Sequence, residues 1–62
     1  MKRRDFERHL TDNGCGKLRE GSSHSIWQNP VNYKQSSVPR HNEIVKVTCK
    51  IICKQLEIPM PE

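Results

Sequence analysis

The chain contains no alanine and only three aromatic residues, Phe6, Trp27 and Tyr33. Hydrophobic residues make up 32% of its 62 positions. No apolar run approaches the roughly 20 residues needed to cross a bilayer, so a membrane-spanning helix is excluded. The start, Met1-Lys2-Arg3-Arg4, is basic, but the apolar stretch of a secretory signal does not follow it. A soluble, cytoplasmic protein with no membrane partner is expected. Ordering each residue costs about 1.5 kcal/mol, so this apolar content leaves a single domain of marginal stability. Deep cavities, a second domain and a small-molecule cofactor are not expected in a chain this short. A site here must be shallow and open, suited to a long polymer or a protein surface.

Cysteine pairing is missing as well. Cys15, Cys49 and Cys53 are three in number, an odd set, and none falls in a C-x-x-C motif. A secreted disulfide scaffold would show an even set, so reduced thiols fit better. Cys49 and Cys53, four apart, could offer two metal ligands on one helical face, with Cys15, His24 or His41 completing a site. The usual zinc ligand spacings are absent, however, and free cysteine is among the most buried residue types. The core reading is therefore preferred, and no metal is expected.

What the chain does have is positive charge. Eleven Lys and Arg against seven Asp and Glu give a formal charge of +4. Five of the basic residues (Lys34, Arg40, Lys46, Lys50, Lys54) lie between positions 34 and 54, with Glu43 as the one acid there. Such a balance serves solubility, and it also favours polyanions, because each neutralised phosphate releases counterions.

Hydrophobic spacing gives the order of elements. Phe6 and Leu10 share one face of a short helix over Arg3 to Asn13. Asp5 sits in its first turn, and Asn13-Gly14 ends it. Three strand-length stretches follow, Cys15–Glu20, His24–Gln28 and Lys34–Val38. Gly21-Ser22-Ser23, Asn29-Pro30 through Asn32, and Pro39 punctuate them. Period two puts His24 and Ile26 on one face of the middle strand and Ser25 and Trp27 on the other. Both faces carry an apolar residue, so the direction of His24 is left open. Cys49, Ile52, Cys53 and Leu56 then form the apolar stripe of a second helix. Thr48 is a plausible N-cap for it, and Glu43-Ile44-Val45 is either a preceding turn or an extension back to an Asn42 cap. Pro59 and Pro61 close the structured part. The expected fold is α+β: a two-layer α-β-β-β-α domain over residues 1–58, with a three-stranded antiparallel sheet under two helices. A short tail spans 59–62.

Three histidines offer chemistry. His9 reads as a polar surface residue of the first helix. His41, after Val38-Pro39-Arg40, either steadies the turn into the second helix or touches a partner. His24 begins a strand directly after Gly21-Ser22-Ser23, a hydroxyl-rich turn whose backbone N–H groups can approach an anion. Lys17 and Arg19 precede it. RNA carries its own nucleophile, the 2′-hydroxyl, so a metal-free ribonuclease needs a proton acceptor, charge stabilisation at phosphorus and strand alignment. Imidazole, with an unperturbed pKa of about 6.5, suits the first task, and Lys or Arg suits the second. No Gly-rich phosphate loop, Ser/His/Asp set or convincing carboxylate pair competes with this reading. Trp27 could stack on an unpaired base, but half-buried packing is the preferred role.

Gly21-Ser22-Ser23-His24-Ser25-Ile26-Trp27 is followed by Val38-Pro39-Arg40-His41, and then by Thr48 leading Ile52, Leu56 and Ile58. Together these resemble the HicA family of bacterial mRNA-interferase toxins. The opening, from Lys2-Arg3-Arg4-Asp5 through Leu10 to Asn13-Gly14, is similar to that family's first helix and glycine stop, so the resemblance runs from Lys2 to Ile58. It implies a fold like that of double-stranded-RNA-binding domains, and a metal-independent endoribonuclease that cleaves mRNA in translating bacteria. It also implies a HicB-type antitoxin that shields the catalytic residue. The family's catalytic histidine follows a Gly-Ser pair and falls on His24, as general base toward the 2′-hydroxyl or as acid toward the leaving oxygen. Lys2, Arg3, Arg4, Lys17 and Arg19 are the candidate RNA contacts. Two positions differ from the family pattern: Ser-Ser precedes His24, with Gly21 one place further away, and Val47 stands before Thr48 where glycine is frequent. The alternative reading is a non-catalytic RNA-binding module of the same fold.

Overall fold

The computed structural model describes residues 1–61. The elements run α1 (Arg3–Asp12), β1 (Gly16–Glu20), β2 (His24–Asn29), β3 (Lys34–Pro39) and α2 (Lys46–Leu56). The strands form one antiparallel meander in the order β1-β2-β3. This is the α+β, α-β-β-β-α arrangement expected from the sequence, with the element order of a double-stranded-RNA-binding domain. No described helix is long and apolar enough to cross a membrane.

Both helices pack on the same face of the sheet. Phe6 and Leu10 of α1 and Cys49, Ile52, Cys53 and Leu56 of α2 enclose one apolar cluster with Cys15, Trp27, Val38 and Ile44. Each helix contributes the stripe that its 3.6-residue period predicts. Trp27 is only 5% exposed, so it packs in the core and does not serve as an open stacking platform. Lys17 Nζ lies 5.8 Å from its ring centroid. All three cysteines are core residues.

Local chemistry sets the helix ends. Gly14 adopts φ 85°, a backbone that side-chain-bearing residues rarely take. Gly14 N–H then donates to the Thr11 carbonyl and Cys15 N–H to the Leu10 carbonyl, closing a Schellman turn that drops Cys15 into the core. The second helix ends in the same motif without a glycine. Glu57 takes the left-handed conformation, and Ile58 N–H reaches the Cys53 carbonyl at 3.0 Å. The carbonyl of Leu56, left over at this end, accepts from Asn29 Nδ2 at 2.8 Å and Asn32 Nδ2 at 3.2 Å. The N-terminus of α2 differs from expectation. Thr48 is not its cap: the helix begins at Lys46 after extended Val45, and no side chain caps it. Ile44, just before, is buried, which anchors the entry by packing instead. Asn42 does not cap it either.

His9 does more than face solvent. Its Nε2 lies 2.6 Å from the Pro59 carbonyl, and Ile58 and Met60 pack against the core. The expected tail thus starts by folding back on α1; its last position, 62, lies outside the described residues.

Two outcomes follow from this core. Leu56→Ala removes a fully buried side chain, a change that costs about 2–5 kcal/mol. A small core supplies little more than about 3–5 kcal/mol in total, so the variant should be largely unfolded at 25 °C by circular dichroism. A urea midpoint close to that of the parent would contradict this packing. Burial, reinforced by Cys49 and Cys15, pushes the Cys53 thiol from the ordinary 9.0 up to about 11. Burial raises Cys15 and Cys49 as well. The folded state therefore favours neutral thiols, and that contribution is complete below pH 9.0. It is lost as the pH climbs from 9.0 toward about 11. Urea midpoints measured across that range should fall, and substituting Cys53 by Ser should flatten the fall.

Candidate nucleic-acid interface

The turn that joins β1 to β2 presents His24. Burial alternates along β2: Ser25, Trp27 and Asn29 are buried against the helices, while His24, Ile26 and Gln28 face the other way. Core anchoring of Ser25 and Trp27 therefore directs the imidazole to the uncovered face, where His24 is exposed. This answers the question of direction that the sequence leaves open.

The turn is close-fitting. Gly21 N–H donates to the His24 carbonyl at 2.7 Å. A Cβ built on Gly21 would lie 3.0 Å from that same oxygen, so any larger residue would push the His24 carbonyl back by a few tenths of an ångström. Ser22 and Ser23 form the exposed tip. Beside His24 lies an open depression of about 320 Å³, bordered by Arg19, Ser22, Ser23 and Ile26.

Of the cations expected to contact RNA, Arg19 shares this face. It pairs with Ile26, whereas Lys17 pairs with Trp27, the neighbouring β2 residue of opposite direction. An irregularity between Lys17 and Arg19 inserts Leu18 without a partner and reverses the alternation. Two residues that regular spacing would put side by side thus lie on opposite faces. Lys17 Nζ bonds to Glu20 Oε1 at 2.8 Å instead.

Lys2, Arg3 and Arg4 line a second open hollow, with Asn42 and Glu43. Lys2 forms a backbone bridge with Glu43. The guanidinium of Arg3 is engaged within the fold, 3.8 Å from Glu7 and 2.7 Å from the Arg40 carbonyl. Among the described residues, Lys2, Arg4 and Arg19 make no ion pair. His41 is exposed and forms no side-chain hydrogen bond among the described residues.

Arg40, which is not among the RNA contacts expected from the sequence, joins these parts. Its Nη1 donates to the Gly21 carbonyl at 2.8 Å, and its Nη2 lies 3.7 Å from Glu20 Oε2. Glu20 thus faces two cations; the Lys17 hydrogen bond above all, then Arg40, hold its carboxyl below the ordinary 4.5. The carboxylate form, and the ion pairs it makes, persist until the pH drops below that value. In the sequence Arg40 stood out as one of the basic residues and within the Val38-Pro39-Arg40-His41 run; the structure adds that its neighbour Pro39 pairs with His24.

The arrangement defines a class: a small α+β domain that bears an exposed histidine and one cation, Arg19, on the open side of its sheet. A family model described as the HicA toxin of bacterial toxin–antitoxin systems matches residues 3–58. The chain belongs to this family and is the toxin of a toxin–antitoxin system, with an antitoxin as its partner. No curated protein and no solved structure gives a significant match.

The close approach at Gly21 is testable. Gly21→Ala should move amide resonances of residues 20–25 and of Arg40, leaving those of α1 and α2 in place. A spectrum identical to that of the parent would show that the Gly21–His24 contact is looser than 3.0 Å.

Proposed function

We propose that this toxin is a metal-independent endoribonuclease acting on mRNA, with His24 as its catalytic residue and a HicB-type antitoxin as its inhibitor in the cytoplasm. The observation that carries the reading is the position of His24: exposed at the head of β2, on the uncovered sheet face, beside Arg19, which makes no ion pair among the described residues. A strand of RNA needs an open surface, and this is the side on which no helix intervenes. Residues 1–58 are the toxin unit in this proposal, and 59–62 its tail.

The chemistry uses the substrate's own nucleophile. His24 accepts the proton of a 2′-hydroxyl, and the 2′-oxygen attacks the adjacent phosphorus. The bond from phosphorus to the 5′-oxygen then breaks, and that oxygen takes up a proton. The products are a 2′,3′-cyclic phosphate and a 5′-hydroxyl end. Arg19 is placed to offset charge growing on the non-bridging oxygens. Lys2 and Arg4 offer further phosphate contacts at the separate hollow beside α1, with Lys17 and Arg3 adding to the overall field around their internal contacts. An antitoxin that covers the open face denies RNA access to His24.

His24→Ala should abolish cleavage of single-stranded RNA and growth arrest, while the circular dichroism spectrum is unchanged. Wild-type protein should cleave in the presence of a chelator. RNA that is retarded in a gel but intact would instead favour the non-catalytic binding module, and a fully active His24→Ala protein would remove His24 from the mechanism.

A further inference from the structure

The turn that carries His24 has few supports of its own. Every residue of β1 is exposed, so the strand leading into it is held by its pairing with β2, as far as Glu20 and Ser25, rather than by buried side chains of its own. Ser22 and Ser23 are exposed at the tip, and the turn is closed internally by the Gly21–His24 bond. On the far side, core anchoring begins at Ser25. The His24 backbone is in register with Pro39, but its exposed ring makes no side-chain hydrogen bond among the described residues, so its place depends on the backbone around it.

Arg40 supplies what the turn lacks, and it does so from three directions. Its N–H donates to the Ser23 carbonyl at 3.1 Å, extending the β2–β3 pairing by one residue into the turn. Its guanidinium reaches across to the Gly21 carbonyl at 2.8 Å and to Glu20 at 3.7 Å. Its own carbonyl accepts from Arg3 Nη1 at 2.7 Å, which ties the assembly to α1. Glu20 is held in turn by Lys17 at 2.8 Å. We propose that Arg40 is a positioning residue, a clamp that holds the Gly21–His24 turn against β3 and α1 and thereby sets the place of the His24 imidazole.

The chemistry of the side chain is specific to this task. A guanidinium presents several N–H donors in a fixed plane, so it can serve a carbonyl and a carboxylate at once. Lysine brings the same charge on a single nitrogen and cannot reproduce that fork. Arg40 is engaged with the turn backbone, which separates its role from that of a cation awaiting phosphate.

This inference rests on the ribonuclease reading for its catalytic consequence, but its structural half can be read without RNA. In Arg40→Lys, hydrogen exchange at the Gly21 amide should quicken, and the His24 ring resonances should shift. The kcat for a single-stranded RNA should fall roughly 10- to 100-fold, with KM changed little, since a misplacement of about 1 Å costs on that order. Glu20→Gln, which removes the ionic arm together with the Lys17 ion pair but leaves the Gly21 arm, should give an effect of the same kind and smaller size. Unchanged Gly21 exchange in Arg40→Lys would overturn the clamp. So would a raised KM with kcat preserved, which is the mark of a direct phosphate contact. Absence of cleavage by the wild-type protein would defeat the ribonuclease reading instead, with the exchange measurement still deciding the clamp.

Discussion

The scarcity of apolar side chains governs this molecule. With few large hydrophobic groups to bury, the chain can cover one face of one sheet and no more. Phe6, Leu10, Ile52 and Leu56 meet Trp27 and Val38 on that face. The other face is left to Arg19, His24, Ile26, Gln28 and the exposed side of β3. The open surface is therefore a consequence of the limited core. Both depend on the strict alternation of β2, whose inward residues compel its outward ones.

Elements built on local periodicity were legible from the sequence alone. Phe6 and Leu10 announced α1, the stripe from Cys49 to Leu56 announced α2, and Gly14 announced a left-handed stop that the backbone adopts. Strand limits agreed within a residue, because Gly21-Ser22-Ser23 and Asn29-Pro30 leave the chain few other places to turn. Thr48 misled, since a hydroxyl near a helix start resembles a cap. The burial of Ile44 fixes the entry earlier, at Val45. The C-terminal end of α2 was opaque for a different reason. Its carbonyl cap comes from Asn29 and Asn32, more than 20 positions away, and its left-handed residue is Glu57, where no glycine signals it.

The site was legible in its chemistry and not in its geometry. His24 and the nearby cations stand out by type, but period two could not decide which way β2 faced, because Ile26 and Trp27 are both apolar. Packing decides it: Trp27 lies in the core, and Ile26 is left half-buried on the open side. The irregularity at Leu18 was equally invisible, and it separates Lys17 from Arg19. The contacts of Arg40 were not legible, because two of them run to or from backbone carbonyls, which carry no residue identity in a sequence.

A shallow site constrains how this protein can act. Deep active sites hold their reacting groups by packing and exclude water around them, and neither means exists for a histidine on an uncovered sheet face. What remains is position, set by backbone hydrogen bonds, and charge, set by nearby cations. Surface ion pairs contribute little individually. In this protein, however, Lys17, Glu20 and Arg40 are linked in series to one turn, and Arg3 fastens the last of them to α1. Each link restricts the next, so ordering the turn costs less entropy than four separate contacts would. In the proposed reading, the same openness would let a partner control the protein by covering the face that carries His24.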